Sequence, residues 1–411
     1  LHFAIDGTRL FPKLYSFDAH FTLLDMKFLH TADWQIGKPF QSIEDAPKRE
    51  ALRKQRIDTV RSLGKLVRDE ALEFVVVSGD LFDSATPDKS TVAALCSAVG
   101  ELKVPVYAIP GNHDHGGPGC IWQQEFFLRE QRQLAPNLHI LLAAEPYETA
   151  HAVLLPCPLN RRHVTADPTS WLRAVPDGLS ETLPRIVLAH GSTQGFSSSS
   201  DDDSHSQINL LNLDHLPTAD YDYIALGDWH GMKSITPKAW FCGTPEQDRF
   251  AKGASNQPGH VLIVELSARG GAPLVTPHQT GSIGWHEPSP IQLTSDASLD
   301  NLETELIDLL SGGATQDLLK LSIQGTLSLA GSTRLEQLIE SLEARTIRLQ
   351  LENDLTIEPS TAELAELTQR QDPLIAQVAN ELSQAIQSDA TARELLRELH
   401  LQIVKAEQTA P

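Results

Sequence analysis

Short apolar runs alternate with amphipathic stretches through the first two thirds of the chain. Residues 27–30, 74–78, 104–109, 185–189 and 223–226 are mostly β-branched or apolar, with polar residues only at their ends, as in strands buried on both faces. Between the first two runs, Leu52, Ile57, Val60, Leu63, Leu66 and Val67 recur at helical spacing among Lys and Arg, which predicts a long helix over 44–70. Pro87 and Asp88 open a second helix over 90–102. Strand, helix, strand, helix, strand is the order of right-handed βαβ units on a mostly parallel sheet. A helix near 122–131 and short strands near 139–142 and 152–156 follow. Further β segments at 239–243, 260–265 and 273–277 predict a second sheet packed on the first, with helices outside: an α/β fold of four αββα layers.

Near Ser282 the rhythm changes. Helix 302–310, strand 318–325, helix 335–344 and strand 347–351 make a smaller α+β unit over 283–358. From 361 to 405 the spacing of Leu364, Leu367, Leu374, Val378, Leu382, Ile386, Leu395, Leu396 and Leu399 gives two or three amphipathic helices. They either complete the second unit or offer a docking face to another protein's helices. The large domain spans 26–282, and the terminal helices 359–411.

The polar residues that matter stand where the buried strands end. Five loops, HTADWQ (30–35), SGDLFD (78–83), GNHD (111–114), AHG (189–191) and GDWH (227–230), each follow an apolar run on its carboxyl side, where α/β sheets place their chemistry. Divalent cations that assist phosphoester hydrolysis need oxygen and imidazole ligands from several loops, with one carboxylate shared between two ions. Asp80 is the candidate bridge. Asp33, His230 and the amide oxygen of Gln35 can complete one ion, and Asn112, His190 and Asp228 the other.

Composition narrows this little. The 33 basic and 54 acidic residues give a formal charge of −21, which opposes long-range attraction to nucleic acid, so action on DNA needs a local basic patch, metal ions or a partner. Cys96, Cys120, Cys157 and Cys242 form no CxxC pair and read as free thiols of a reducing cytoplasm. No apolar run reaches the length of a membrane span. Residues 1–25 lack a signal-peptide pattern and read as an extension upstream of a start at Met26, or as an extra hairpin or disordered arm. The run SSSSDDDS within 194–220 reads as a mobile surface loop, or as an acidic cation-binding one.

The five loops in this order resemble those of the calcineurin-like metallophosphoesterases, and GDLFD with LHTADW resembles the SbcD-like DNA repair exonucleases, nuclease subunits of the bacterial SbcCD complex. The resemblance covers residues 26–280 and, more loosely, a cap domain in the α+β unit. It implies one ion on Asp33, Gln35, Asp80 and His230, and a second on Asp80, Asn112, His190 and Asp228. It also implies that His113 assists the leaving group, with Asp114 able to orient it. Gln35 and Asp228 stand where the family has histidines. Trading two imidazoles for two oxygens predicts a shift toward Mn²⁺ or Mg²⁺.

The function expected from the resemblance is a DNA exo/endonuclease working with an SbcC-type coiled-coil ATPase, commonly as a homodimer. Arg161, Arg162 and His163 could then touch phosphate, or simply form a solvated loop. A hydrolase of small phosphodiesters or phosphomonoesters, and a non-catalytic scaffold with an altered site, are the rival readings.

Overall fold

In the computed structural model, which describes residues 26–193, 208–251, 256–267, 269–310, 317–386 and 388–409, each apolar run becomes a strand whose polar end is a loop. The expected arm over 1–25 and the acidic run at 197–204 lie outside the described residues. The first half comprises β1 (Met26–Thr31), α1 (Ala46–Asp69), β2 (Phe74–Ser78), α2 (Lys89–Gly100), β3 (Val106–Ile109), α3 (Glu125–Leu134) and β4 (Leu138–Ile140). Asp45 caps α1 by accepting the Lys48 N–H, and Asp88 caps α2 by accepting that of Thr91. The third helix starts later than its sequence pattern suggests. Trp122 is pinned through Nε1 to the Asp114 carbonyl at 2.6 Å, so Ile121–Gln123 stay in a separate 3₁₀ turn.

Next come β5 (Tyr147–Glu148), β6 (Val153–Cys157), β7 (Arg185–His190), β8 (Ser192–Thr193), β9 (Leu210–Leu211), β10 (Tyr223–Gly227), β11 (Lys233–Thr236), β12 (Ala239–Phe241), β13 (His260–Leu266) and β14 (Leu274–Gln279). Two six-stranded sheets result, ordered β14-β13-β1-β2-β3-β4 and β11-β12-β10-β7-β6-β5. Among the strands that carry the five loops, β1, β2 and β3 pair parallel in the first sheet, and β7 and β10 pair parallel in the second.

Phe28, Phe74, Val76 and Tyr107 of the first sheet meet Leu154, Ile186, Leu188 and Tyr223 of the second, with Phe28 stacked on Phe74 at 5.0 Å. Each such buried side chain contributes about 1.5–3 kcal/mol. On the outer face, Val75, Val77 and Ala108 pack against Val60, Leu63, Leu95 and Val99 of the helices. The outer face of the second sheet has a thinner cover: Leu172, Leu211, Leu216 and Tyr221 come from short turns and β9.

The remainder is β15 (Trp285–His286), β16 (Ile291–Leu293), α4 (Ser298–Leu310), β17 (Leu318–Leu327), α5 (Leu329–Arg345), β18 (Arg348–Ile357), α6 (Thr361–Thr368), α7 (Pro373–Ala385) and α8 (Ala390–Thr409). Here β15, β16 and β18 all pair parallel to β17 over a separate core that includes Leu302, Leu306, Leu321 and Ile323. Leu367, Ala379, Leu396 and Ile403 of the last three helices bury against Leu329 of α5, while Leu374, Val378 and Leu395 stay exposed.

This C-terminal unit is joined to the loop after β1 and to the first turns of α1. Phe40, Ile43 and Leu52 share a core with Ile283, Leu318 and Ile347, and Glu246 accepts the backbone N–H groups of Ser282 and Ile283. No helix among the described residues is long and apolar enough to cross a membrane.

Candidate metal centre

The loops after β1 and β2 run side by side: the Asp33, Gln35 and Ile36 N–H groups donate to the carbonyls of Gly79, Asp80 and Leu81 at 2.8–3.1 Å. Four candidate ligand residues sit at positive φ: Asp33 at 54°, Gln35 at 42° and Asp80 at 56° within that pairing, and Asp228 at 102° in the loop after β10. Non-glycine residues adopt this region at a cost and persist there only where the surroundings fix them. Glycines make the close approach feasible. A Cβ on Gly79 would lie 2.2 Å from His190 Nδ1, and one on Gly111 would lie 2.1 Å from Asp80 Oδ1.

Asp33, Asp80 and His190 are buried, each with a ligand atom within 4.8 Å of the others. His190 Nδ1 lies 2.8 Å from the Ser78 carbonyl, which can only accept, so this nitrogen carries the proton and Nε2 faces the cluster. Around Nε2 stand Asn112 Oδ1 at 3.1 Å, Asp80 Oδ1 at 3.6 Å and Asp228 Oδ1 at 3.8 Å. His230 is set by the same logic: its Nδ1 donates to Asp248 at 3.0 Å and its Nε2 faces inward. The centre thus brings together Asp33, Gln35, Asp80, Asn112, His190, Asp228 and His230. Its oxygen and imidazole donors fit divalent cations.

The charges balance poorly without a cation. Burial raises Asp33 from its ordinary value to about 6, with His230 and His190 opposing and Asp80 and Asp228 adding to the rise. Burial alone would lower His190, but Asp80, Asp33 and Asp228 overcome it and push the imidazole to about 9. An ion-free cluster therefore holds a proton on His190 near neutral pH, and cation uptake must expel it. Calorimetric Mn²⁺ titrations in buffers of different ionisation enthalpy are expected to show proton release at pH 7 that disappears above pH ~9.

His113 sits at the rim with its N–H on Asp80 Oδ1 at 2.9 Å. The residue that orients it is not Asp114: His113 Nδ1 donates to the Asp83 carbonyl at 2.8 Å. Asp114 is instead a fully buried brace whose two oxygens accept the N–H groups of Gly111, Leu81 and Phe82 at 2.7–3.1 Å. Its short side chain points back into the strand ends and away from the rim. Arg161, Arg162 and His163 are exposed. Their loop is tied to the one carrying His113, because the Gly116 N–H donates to the Leu159 carbonyl and the Leu159 N–H to that of Pro110.

Sequence reasoning missed Lys38, Arg56, Asp248 and Arg249. Lys38 Nζ reaches Gln35 Oε1 at 2.7 Å, Asp248 Oδ2 at 2.9 Å and Asp83 Oδ1 at 3.5 Å. Although burial opposes it, His230, Lys38 and Arg249 hold the Asp248 carboxyl well below its ordinary range. Of these, only Arg56 left a trace in the sequence. It lies four residues from both Leu52 and Val60, inside the apolar stripe of α1.

Among solved structures, TT1561 of Thermus thermophilus is 13% identical over 62% of this chain and 99% of its own, with a TM-score of 0.38. A dimetal phosphatase from Danio rerio is 13% identical over 61% of this chain and 98% of its own, with a TM-score of 0.33. The sequence pattern of the family described as Calcineurin-like phosphoesterase matches residues 26–232, which contain every candidate ligand above. That match takes in half of the chain, and the chain belongs to the calcineurin-like phosphoesterase family.

Proposed function

We propose that this metal-dependent phosphoesterase acts on DNA, as an exo- or endonuclease of the SbcD-like branch. The observation that carries the reading is the exposed Arg161–Arg162–His163 run on the loop bound to the one that presents His113. It offers phosphate contacts on a loop hydrogen-bonded to the one that carries His113, in a chain otherwise too acidic to attract DNA. Divalent cations, Mn²⁺ or Mg²⁺, would be held by Asp33, Asp80, Asn112, His190, Asp228 and His230, and would neutralise phosphate charge and acidify a water.

His113 moves the last proton. With its Nδ1–H committed to the Asp83 carbonyl, Nε2 is the nitrogen left to meet the leaving oxygen, and as imidazolium it gives that oxygen its proton. An SbcC-type coiled-coil ATPase would supply the rest of the DNA grip, docked on the exposed Leu374, Val378 and Leu395, with two such chains paired as a homodimer. The buried free cysteines suit a reducing cytoplasm.

Labelled DNA and a chromogenic diester with Mn²⁺ test this together. DNA cleavage is expected, and His113→Ala is expected to retain metal while losing about 10²–10⁴-fold in kcat on DNA, but far less on the chromogenic diester, whose good leaving group needs no acid. Cleavage of the diester alone would favour a small-phosphoester enzyme, which the net charge of −21 also suits. Bound metal with neither substrate cut would favour the scaffold.

A further inference from the structure

The two sides of Asp80 are built from opposite hydrogen-bonding chemistry. Toward His190 the groups are ligand atoms free to face a cation: Asn112 Oδ1, Asp80 Oδ1, Asp228 Oδ1 and, once a cation has displaced its proton, His190 Nε2, the Nδ1 being held on Ser78. Toward His230 the space is filled by a donor. The amide nitrogen of Gln35 lies 3.5 Å from Asp80 Oδ2 and 3.3 Å from His230 Nε2.

The orientation of that amide is fixed from outside. Lys38 Nζ has no lone pair to offer and stands 2.7 Å from the other end of the amide, so that end must be the oxygen. Lys38 is itself held by Asp248, whose second oxygen accepts from His230. A closed ring of Lys38, Gln35, His230 and Asp248 results. Asp33, the remaining ligand of this side, already accepts the Asp228 N–H through both oxygens at 3.2 Å.

We propose that the Lys38-backed amide of Gln35 plugs the cation position between Asp80 and His230, so that the centre binds one divalent ion tightly, on the His190 side, and a second only weakly. The inference rests on the reading of the cluster as a metal centre and deepens it. Gln35 supplies no ligand oxygen to the plugged position: it offers N–H groups there, and releasing its oxygen means turning the amide and leaving Lys38 Nζ without that acceptor. Lys38 is thus a positioning residue, acting on cation number through Gln35.

Full-length protein titrated with Mn²⁺ alone, followed by calorimetry and by electron paramagnetic resonance, tests this without reference to turnover. Wild type is expected to take up one ion tightly, with the spectrum of an isolated Mn²⁺. Gln35→His, which replaces the plug by an imidazole, is expected to bind two ions and give an exchange-coupled pair. Lys38→Met frees the amide oxygen and is expected to tighten the second ion by about 10–100-fold, whereas Lys38→Arg should keep wild-type behaviour. Thermal melts identify any variant that fails to fold.

Two ions of like affinity in folded wild type, or a single ion in both folded Gln35→His and folded Lys38→Met, would overturn the plug. The nuclease reading fails separately: one tight ion with no cleavage of DNA or diester would sink that reading and leave the plug standing.

Discussion

Asp80→Asn is expected to abolish divalent-cation binding and to lower phosphodiester cleavage by at least about 10³-fold, while leaving the ion-free protein as stable as wild type or more so. The carboxylate touches both halves of the centre: Oδ1 faces His190 and accepts the His113 N–H, and Oδ2 faces Gln35. Without a cation its charge is a burden. Burial first, and Asp80 next, raise the buried Asp114 from its ordinary value to about 7, and Asp80 adds to the rise at Asp33.

Because both folded-state values lie above the unfolded ones, ion-free wild type is most stable when these groups are protonated, and it loses stability as pH rises from about 4 through about 7. The asparagine keeps the acceptor for His113 and removes the repulsion, so that loss should shrink. Mn²⁺ at a hundred times its Kd should stabilise wild type by about 2.7 kcal/mol and the variant not at all. Melting curves with and without Mn²⁺ at pH 5 and 7.5 read both effects. A variant stabilised by Mn²⁺ as much as wild type would show that Asp80 does not hold the ion.

The sequence reveals this carboxylate because FVVVS can only be a buried strand, and whatever follows it stands at a sheet edge. The same reasoning placed Asn112, His190, Asp228 and His230, each delivered by β3, β7 or β10. It could not say which way a side chain turns after the strand stops. GNHD reads as one polar unit, yet His113 and Asn112 face the rim while Asp114 folds back onto three backbone N–H groups. Gln35 reads as a ligand by position, and only the placement of Lys38 shows that its oxygen is already taken.

Asp248 lies eighteen residues beyond His230, past β11 and β12, with no local pattern to pair them. The delayed start of α3 has a similar origin, a single tertiary hydrogen bond from Trp122 that overrides the helical spacing. Repeating apolar positions report on burial, which is a property of whole elements. The direction of a polar side chain depends on one distant partner.

Arg56→Leu should cost about 3–5 kcal/mol of stability and weaken Mn²⁺ binding, although Arg56 touches none of the ligand atoms. Its guanidinium is fully buried in α1 and satisfies backbone that the metal loop leaves open. Nε and Nη2 donate to the Trp34 carbonyl at 2.9 and 2.7 Å, Nη2 also to the Asp33 carbonyl at 3.0 Å and Thr244 Oγ1 at 3.1 Å, and Nη1 to the Glu246 carbonyl at 2.9 Å. Burial lowers its pKa, and Asp248, Glu246, Asp83 and Asp33 oppose that change. A leucine fills part of the volume and takes this donor away from those carbonyls, and a buried polar group costs about 1–3 kcal/mol when orphaned.

Asp33 then loses part of what fixes its φ of 54°, and Glu246 loses its main-chain anchor to α1 while still holding the start of the C-terminal unit through Ser282 and Ile283. Arg56→Lys separates charge from geometry, since an ammonium keeps the positive charge but cannot span the same carbonyls. Denaturant unfolding and Mn²⁺ calorimetry on the two variants should rank them wild type, Lys, Leu in both measurements. If Arg56→Lys matched wild type in both, charge alone would suffice and the fork would not be what shapes the Asp33 loop.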